Sequence, residues 1–314
     1  MVRNIAWAIF CAVALATGNA KAAENFISFD VPGSTFTSAL GINNDGAVVG
    51  RFVDSAGKSH GYLLKDGNFT TIDYPGAVWT NTLGINSQGD IVGCHIDDPT
   101  RIANVVGCHG FLLKQGAFIP LDYPGKYGAI ASGINDAGQI VGCNHDDDGP
   151  GGVLMDDMHG FLFGNGSFSQ LSQPNSMNNA VSADGNITAG LMTTNGITRG
   201  YLAKNDVVIP FDFPFSIATE VWGMSASGDE LVGDYTDTAK KIHGFLLRFG
   251  DSIATFGINP QLGMTFEFIS IDYPGATSTL AHALNSGGDV VGNYADSGGK
   301  THAFFVNVRR RNPD

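Results

Sequence analysis

Hydrophobic and polar residues alternate over short segments of the chain, and the same order of segments occurs in six successive units. Each unit begins with a small-residue segment such as residues 40–43, Leu-Gly-Ile-Asn, followed by a turn of the form Asn-x-x-Gly. In the first unit three further segments follow, at residues 47–52, 60–65 and 68–73, and an Asp-Gly turn separates the last two. Period-2 alternation bounded by such turns predicts four β-strands per unit.

The length of the repeat predicts the architecture. The final glycine of the repeated phrase recurs at Gly50, Gly93, Gly142, Gly190, Gly233 and Gly292. Periods of about 40 to 50 residues with several strands per unit are typical of β-propellers. Residues 26–32 resemble the fourth strand of a unit but precede the first one, and the last unit ends at residues 302–307 without a fourth strand. We therefore expect an all-β fold over residues 23–308, a six-bladed β-propeller closed by pairing of the N-terminal strand with the C-terminal blade.

The first 22 residues have a different pattern. Arg3, an apolar run over residues 5–17 and the sequence Ala20-Lys21-Ala22 are typical of a signal peptide. The apolar run is too short to cross a bilayer, so a membrane anchor is the weaker alternative and no membrane insertion is expected after cleavage. The protein is predicted to be secreted or periplasmic, with residues 309–314 as a basic C-terminal tail.

Charge and composition exclude some classes of binding partner. The chain has 17 Lys and Arg residues against 30 Asp and Glu residues, a net charge of −13. Nucleic acids and anionic membranes are bound through basic patches, so neither is an expected partner. A 43% hydrophobic content excludes a disordered chain. We expect a monomer.

The repeated phrases resemble a known family. Gly-Ile-Asn-x-x-Gly-x-Ile-Val-Gly, His-Gly-Phe-Leu and the accompanying Ile-Asp-Tyr-Pro-Gly at residues 72–76 and 271–275 are similar to the HAF extracellular repeats of exported bacterial proteins. The resemblance covers nearly the whole chain after the leader, although the fourth unit departs from it at Ser182 and Arg199. It implies an exported bacterial repeat protein and supplies no catalytic residues.

A basic residue near the start of the third strand and an aspartate at the end of the fourth recur along the chain. Counting residues across the two-residue turns predicts facing pairs, and the closure adds one: His60 with Asp73, His109 with Asp122, Arg199 with Asp212, and His302 with Asp30. These pairs are either catalytic dyads or one structural cross-strand contact per unit. Arg199 keeps the pairing without a base, so we favour the structural interpretation and predict no catalytic residues.

A tyrosine also recurs between units, at Tyr74, Tyr123 and Tyr273. It forms either a stacking platform for sugars or a packing contact between neighbouring units. We favour packing because the aromatic residue repeats with the scaffold.

The connections on one face of the predicted disc are long and varied, and binding residues collect on such loops. Two neighbouring loops are acidic and supply a candidate Ca²⁺ site at Asp97, Asp146 and Asp148. The alternative is a pair of solvated acidic loops, because the spacing differs from that of an EF-hand.

Three cysteines follow the leader. Cys94 directly follows the second strand's Val-Gly, and Cys108 directly precedes the third strand's His-Gly, so we predict a disulfide between them in an oxidising compartment. Cys143 has Met158 in its partner's place and is left as a free or intermolecular thiol.

Three functions are compatible with this sequence. The leading one is a non-catalytic exported propeller that binds a glycan, an envelope component or a protein through its long-loop face. The second is a carbohydrate-active or other hydrolase that uses loop carboxylates, since paired carboxylates supply acid and nucleophile. The third is a Ca²⁺-dependent binding module.

Overall fold

The computed structural model describes residues 25–101, 107–145, 158–204, 207–249 and 266–309. These residues contain 24 β-strands, numbered in chain order, together with a short 3-10 helix at Pro99–Arg101. The inner strands are β2 (Phe36–Ile42), β6 (Trp79–Ile85), β10 (Gly128–Ile134), β14 (Ser176–Val181), β18 (Ala218–Met224) and β22 (Ser278–Leu284). The second strands are β3 (Val48–Val53), β7 (Ile91–Ile96), β11 (Ile140–His145), β15 (Ile187–Thr194), β19 (Glu230–Thr236) and β23 (Asp289–Ala295).

The remaining strands lie further from the centre. The third strands are β4 (Ser59–Lys65), β8 (His109–Lys114), β12 (Met158–Gly164), β16 (Ile197–Lys204), β20 (Ile242–Phe249) and β24 (Thr301–Asn307). The outer strands are β1 (Ile27–Phe29), β5 (Asn68–Ile72), β9 (Ala117–Pro120), β13 (Ser167–Pro174), β17 (Val207–Phe211) and β21 (Phe266–Ile271).

The fold is an all-β propeller. Within each repeat the strands pair antiparallel from inner to outer, and the inner strands contact one another in a closed circuit from β2 through β6, β10, β14, β18 and β22 back to β2. The predicted closure is confirmed, because β1 pairs antiparallel with β24 and places Ile27 opposite Phe305 and Phe29 opposite Ala303. The N-terminal strand therefore supplies the outer strand of the last sheet.

The prediction of six separate blades is wrong. Backbone pairing divides the strands into four four-stranded sheets and one eight-stranded sheet that runs from β2 to β9. A parallel bridge between Ser59 of β4 and Trp79 of β6 joins the strands of the first two repeats. Arg51 lies between these strands, 3.5 Å from Ser59 Oγ and 5.8 Å from the ring of Trp79. The repeat pattern predicts strands within a unit but carries no information on hydrogen bonds between units.

The core lies between neighbouring sheets. A third-strand aromatic residue, two positions after the histidine or arginine, is almost fully buried in each repeat, as Tyr62, Phe111, Phe161, Tyr201, Phe245 and Phe304. Each such side chain stabilises the fold by about 2 to 3 kcal/mol through the apolar surface it removes from water.

The tyrosine between units is a packing residue, as favoured from the sequence. Tyr74 stacks at 3.5 Å on His95 of the next repeat and contacts Phe111 and Phe118 there. Tyr273 stacks in the same way on Tyr294.

The asparagine of the Gly-Ile-Asn phrase connects neighbouring repeats. The Asn43 side chain accepts hydrogen bonds from the backbone of Asp45 and Ala47 through Oδ1, which holds the turn between β2 and β3. Its Nδ2 donates to the carbonyl of Asn86, the equivalent residue of the next repeat, at 3.1 Å. The same contact joins Asn86 to Asn135, and Asn285 returns to Asn43. These side chains form a set of hydrogen bonds at the tight-turn end of the inner strands.

The predicted leader, residues 250–265 between β20 and β21, and most of the predicted basic tail lie outside the described residues. Arg309, the first residue of that tail, donates hydrogen bonds to Glu230 and to the carbonyl of Ser286. None of the helices in the described ranges is long and apolar enough to cross a membrane.

Candidate functional site: the central channel

The six inner strands enclose a central channel, and each of them is interrupted by a β-bulge at the same position of the repeat. In β2 the pairing with β3 shifts between Ala39 and Gly41, which leaves Leu40 as the extra residue. A bulge re-aims the side chain of the extra residue. All six bulged residues line one cavity: Leu40, Leu83, Ser132, Asn179, Trp222 and His282.

The glycine that ends each repeated phrase makes the bulge possible. A Cβ at Gly142 would lie 1.8 Å from the carbonyl oxygen of Ile130 on the inner strand, and a Cβ at Gly50 would lie 2.0 Å from that of Ser38. Real Cβ atoms essentially never approach closer than 3.0 Å. The second strand therefore requires glycine at this point because the bulged backbone approaches it closely.

The cavity has a volume of about 340 Å³, which is the size of small-molecule sites. Phe36, the first residue of β2, and Arg51, in the second half of β3, are among its lining residues. The cavity therefore occupies the half of the channel nearest the long connections that lead into the inner strands.

One side of the cavity is a connected polar network. Ser38 Oγ donates to Asn293 Oδ1 at 2.8 Å, and His282 Nε2 lies 2.7 Å from the same oxygen. Burial lowers the pKa of His282 to about 4, so the ring is neutral at neutral pH. Since Asn293 Oδ1 only accepts, the proton lies on Nε2 and His282 Nδ1 is left as an acceptor. The ring of Trp222 packs edge-on against His282 with 5.7 Å between ring centroids.

The other side presents polar atoms that lack partners. Asn179 is 4% exposed, and its Nδ2 donates to the carbonyl of Val221 at 2.8 Å. Among the described residues, no group hydrogen-bonds to Asn179 Oδ1, to Asn81 Oδ1 or to Ser132 Oγ. Buried polar atoms in native proteins nearly always have partners, so these three atoms mark the place of a ligand or of ordered water.

A pair of carboxyl groups lies behind the cavity wall. Glu220 of β18 is directly opposite Asp234 of β19, and Trp222 Nε1 donates to Asp234 Oδ1 at 2.6 Å. Burial raises the pKa of Glu220, and burial together with the charge of Glu220 raises the pKa of Asp234. Two such groups hold a proton between them more readily than two exposed carboxylates do.

The residue pairs predicted from the turns are close together in the structure. His60 Nδ1 lies 2.8 Å from Asp73 Oδ1, and His302 Nδ1 lies 2.9 Å from Asp30 Oδ2. The other two pairs are His109 with Asp122 at 3.1 Å and Arg199 with Asp212 at 3.6 Å.

The pairs lie between third and outer strands, away from the channel. In two of them the second ring nitrogen contacts another carboxylate, at 3.3 Å in both cases: Asp54 for His60 and Asp296 for His302.

The candidate Ca²⁺ site is only partly within the described residues. Asp146 and Asp148 lie outside them, and Asp97, whose side chain is 60% exposed, is 2.9 Å from His95 Nδ1. In the part of the chain that the structure describes, no three His, Cys, Asp or Glu side chains are grouped so as to hold a metal ion.

The cysteines are buried thiols in this structure. Cys94 and Cys108 belong to one cluster with Trp79 and Ile96. In the pairing of β7 with β8, Cys94 lies opposite Gly110 rather than opposite Cys108. Burial raises the pKa of both Cys108 and Cys143, which keeps these groups protonated. The disulfide between Cys94 and Cys108 stays a prediction.

Sequence reasoning placed the binding site on the loops and missed the channel. The sequence does contain a signal for the channel. The residue before the glycine or alanine of each unit's first strand differs among most of the six units, although the residues beside it repeat. A position that varies within an otherwise constant repeat is free of the scaffold's requirements and available for function.

No family model matches this chain, and no curated protein matches it. TolB of Agrobacterium tumefaciens is similar in structure, with a TM-score of 0.52 and 10% sequence identity over 83% of this chain and 79% of that one. TolB of Acinetobacter baumannii has a TM-score of 0.52 and 11% identity, covering 83% of this chain and 63% of its own. The Aleuria aurantia lectin has a TM-score of 0.50 and 11% identity, covering 87% and 93% respectively. At these identities the likeness shows the fold, and the chain is a β-propeller.

Proposed function

We propose that this protein is a non-catalytic binding propeller whose ligand is a saccharide, held in the central channel. The observation that carries the proposal is a pair of acceptor oxygens, Asn81 Oδ1 and Asn179 Oδ1, that have no partner among the described residues and belong to two residues lining a cavity of about 340 Å³. Amide oxygens accept hydrogen bonds, so the ligand must bring donors. Sugar hydroxyl groups supply such donors at several neighbouring positions.

The rest of the lining fits the same ligand class. His282 Nδ1 is a third acceptor, and Ser132 Oγ both donates and accepts. Trp222 and Phe36 add aromatic surface, on which the C–H faces of sugar rings pack. Sites that bind small polar molecules combine apolar walls with a few placed polar groups in this way.

Other features agree with the proposal without carrying it. The Aleuria aurantia lectin was solved in complex with Fucα1-6GlcNAc, so a propeller of similar fold holds a saccharide. The repeat signature and the predicted leader support an exported bacterial protein of the HAF-repeat type, secreted or periplasmic, in contact with envelope glycans. The long-loop face, beside the half of the channel that holds the cavity, would admit a glycan end.

A steric plug tests the location of the site. Leu83→Trp places a bulky ring in the cavity, and Ile119→Trp, on an exposed position of β9, is the matched control. On a glycan array, the wild type and Ile119→Trp are expected to bind the same glycans and Leu83→Trp none, with thermal unfolding showing that both variants are folded. Asn179→Ala, which leaves the cavity open, is expected to weaken binding at least about tenfold. Unchanged binding in both channel variants would contradict the proposal.

Hydrolysis is a second candidate, and one observation favours it. Glu220 and Asp234 face each other with raised pKa values, and paired carboxyl groups of this kind supply a proton donor and a nucleophile or base in glycosidases. Release of reducing sugar from a bound oligosaccharide, lost in Glu220→Gln and in Asp234→Asn while binding persists, would establish this activity. Binding without release of product supports the non-catalytic proposal.

A further inference from the structure

Arg51 is the one cationic side chain in the lining of the channel cavity, and among the described residues it has no carboxylate partner. Its guanidinium lies 4.4 Å from the ring centroid of Phe36 and 5.8 Å from that of Trp79, and its Nη1 is 3.5 Å from Ser59 Oγ. Aromatic faces and one distant hydroxyl leave most of its five N–H donors unused.

Among the six repeats, only the first has an arginine directly after the repeated glycine. The residues at this position are Arg51, Cys94, Cys143, Leu191, Asp234 and Asn293. The scaffold therefore does not require a cation here. Burial lowers the pKa of Arg51, which shows that the site desolvates the charge. An unpaired, desolvated guanidinium is costly, and a protein with a net charge of −13 has carboxylates in excess to pair with it.

Arg51 is also connected to the polar network of the cavity. It lies directly opposite Ser38 across the β2–β3 pair, and Ser38 donates to Asn293, the residue that contacts His282. The donors of Arg51 and the acceptors of the opposite wall therefore belong to one cavity, and a single ligand would meet both.

We propose that the saccharide bound in the channel carries a carboxylate, as a uronic acid does, and that this carboxylate pairs with Arg51. The inference rests on the proposed function, because it adds the anionic group to a sugar already assigned to the channel. Hydroxyl groups of the sugar donate to the unpartnered oxygens of Asn81 and Asn179, while the guanidinium donates two parallel hydrogen bonds to the planar carboxylate. The net negative charge of the protein disfavours anions in general, so binding depends on this local cation.

The test compares D-galacturonate with D-galactose by isothermal titration calorimetry, with acetate as the carboxylate that lacks hydroxyl groups. The wild type is expected to bind D-galacturonate at least about tenfold more tightly than D-galactose and to bind acetate not measurably. Arg51→Met keeps the alkyl stem against Phe36 and Trp79 and removes the charge. It is expected to abolish the preference, by lowering the affinity for D-galacturonate at least about tenfold more than the affinity for D-galactose. Arg51→Lys is expected to restore part of it, since an ammonium group binds as a point charge.

Arg199→Met, which removes an arginine from β16 and its contact with Asp212, is the matched control and is expected to keep the preference. Thermal unfolding of each variant shows whether it is folded. Equal affinity of the wild type for both sugars, or a preference that survives Arg51→Met, would overturn the proposed pairing of a sugar carboxylate with Arg51. The proposed saccharide site would still stand. An equal loss of affinity for both sugars in Arg51→Met would show that the arginine supports the cavity wall rather than binding the ligand. That result would also overturn the assignment of a carboxylate to the ligand. Binding of neither sugar by the wild type would overturn the proposed function itself.

Discussion

Replacement of Gly142 by alanine is the sharpest perturbation that the bulges allow. The added Cβ would lie 1.8 Å from the carbonyl oxygen of Ile130 and 2.9 Å from Cζ of Phe161. The first contact is with backbone that cannot rotate away, so the oxygen must move from 1.8 Å to beyond 3.0 Å. Such a movement opens the pairing between β10 and β11 next to the bulge at Ser132.

The expected loss of stability combines two effects. Forcing an extra methyl group into a packed site costs about 1 to 3 kcal/mol, and each backbone hydrogen bond that is broken costs about 1 kcal/mol more. We therefore expect Gly142→Ala to reduce the free energy of unfolding by about 3 to 5 kcal/mol, a large part of the stability of a typical domain.

Urea unfolding followed by circular dichroism measures this effect. Gly164→Ala is the matched control, because Gly164 is also in a strand but its added Cβ would meet only the flexible side chain of Gln139, with Cγ at 3.5 Å and Nε2 at 3.9 Å. The control is expected to lie within about 0.5 kcal/mol of the wild type. Gly50→Ala, with its Cβ 2.0 Å from the oxygen of Ser38, is expected to behave as Gly142→Ala does. A value for Gly142→Ala within about 0.5 kcal/mol of the wild type would refute the argument that the bulge requires glycine.

The remaining predictions concern one residue each. Burial lowers the pKa of His282 from 6.5 to about 4. Its contribution to stability is therefore fully present above pH 6.5 and is lost as the pH falls towards 4. The free energy of unfolding should decline by up to about 3 kcal/mol across this window, and the decline should be flattened in His282→Gln. Asn86→Ala removes two bonds within its turn and one to the carbonyl of Asn135, and we expect a loss of about 2 kcal/mol by urea unfolding. Phe215 is 90% exposed at φ 65°, where four other repeats have glycine and one has Asn175, and Phe215→Asn should raise the free energy of unfolding by about 1 kcal/mol.

Each of these has its own control. An unchanged pH slope in His282→Gln would show that the ring is not held neutral in the folded state. Asn68→Ala, which removes an exposed side chain with a single local hydrogen bond, should change stability little, and an equal loss there would contradict the role of Asn86. Phe215→Leu keeps a side chain with the same backbone restriction, so a gain equal to that of Phe215→Asn would show that exposure rather than backbone strain is responsible.

The strands and the ring closure could be predicted because they follow from local rules. Alternation of side chains fixes each strand, and a two-residue turn fixes the register on both sides of it, which is why His60 and Asp73 are in contact. The closure followed from a count of strands by type, and the pairing of Ile27 with Phe305 confirms it.

The unpredicted features depend on contacts between segments that are not joined by a short turn. The second and third strands are joined by longer connections, so the register of Cys94 against Gly110 could not be counted from the sequence. The bridge between Ser59 and Trp79 joins two repeats at a single point, and no periodicity signals it.

The channel was hidden for a different reason. A β-bulge shifts the register by one residue and turns a side chain such as that of Asn179 towards the axis, whereas alternation alone gives no sign of this shift. The glycine on the neighbouring strand was visible as a repeat, but its close contact with the bulged backbone was visible only in three dimensions.

Binding of an acidic sugar in the channel is tested most directly by a crystal structure of the protein grown with a saturating concentration of D-galacturonate. Electron density for the sugar is expected inside the ring of inner strands, with hydroxyl groups on Asn179 Oδ1 and the carboxylate on Arg51. Density for the sugar only on the outer surface or the loops, with water alone in the channel, would contradict this expectation.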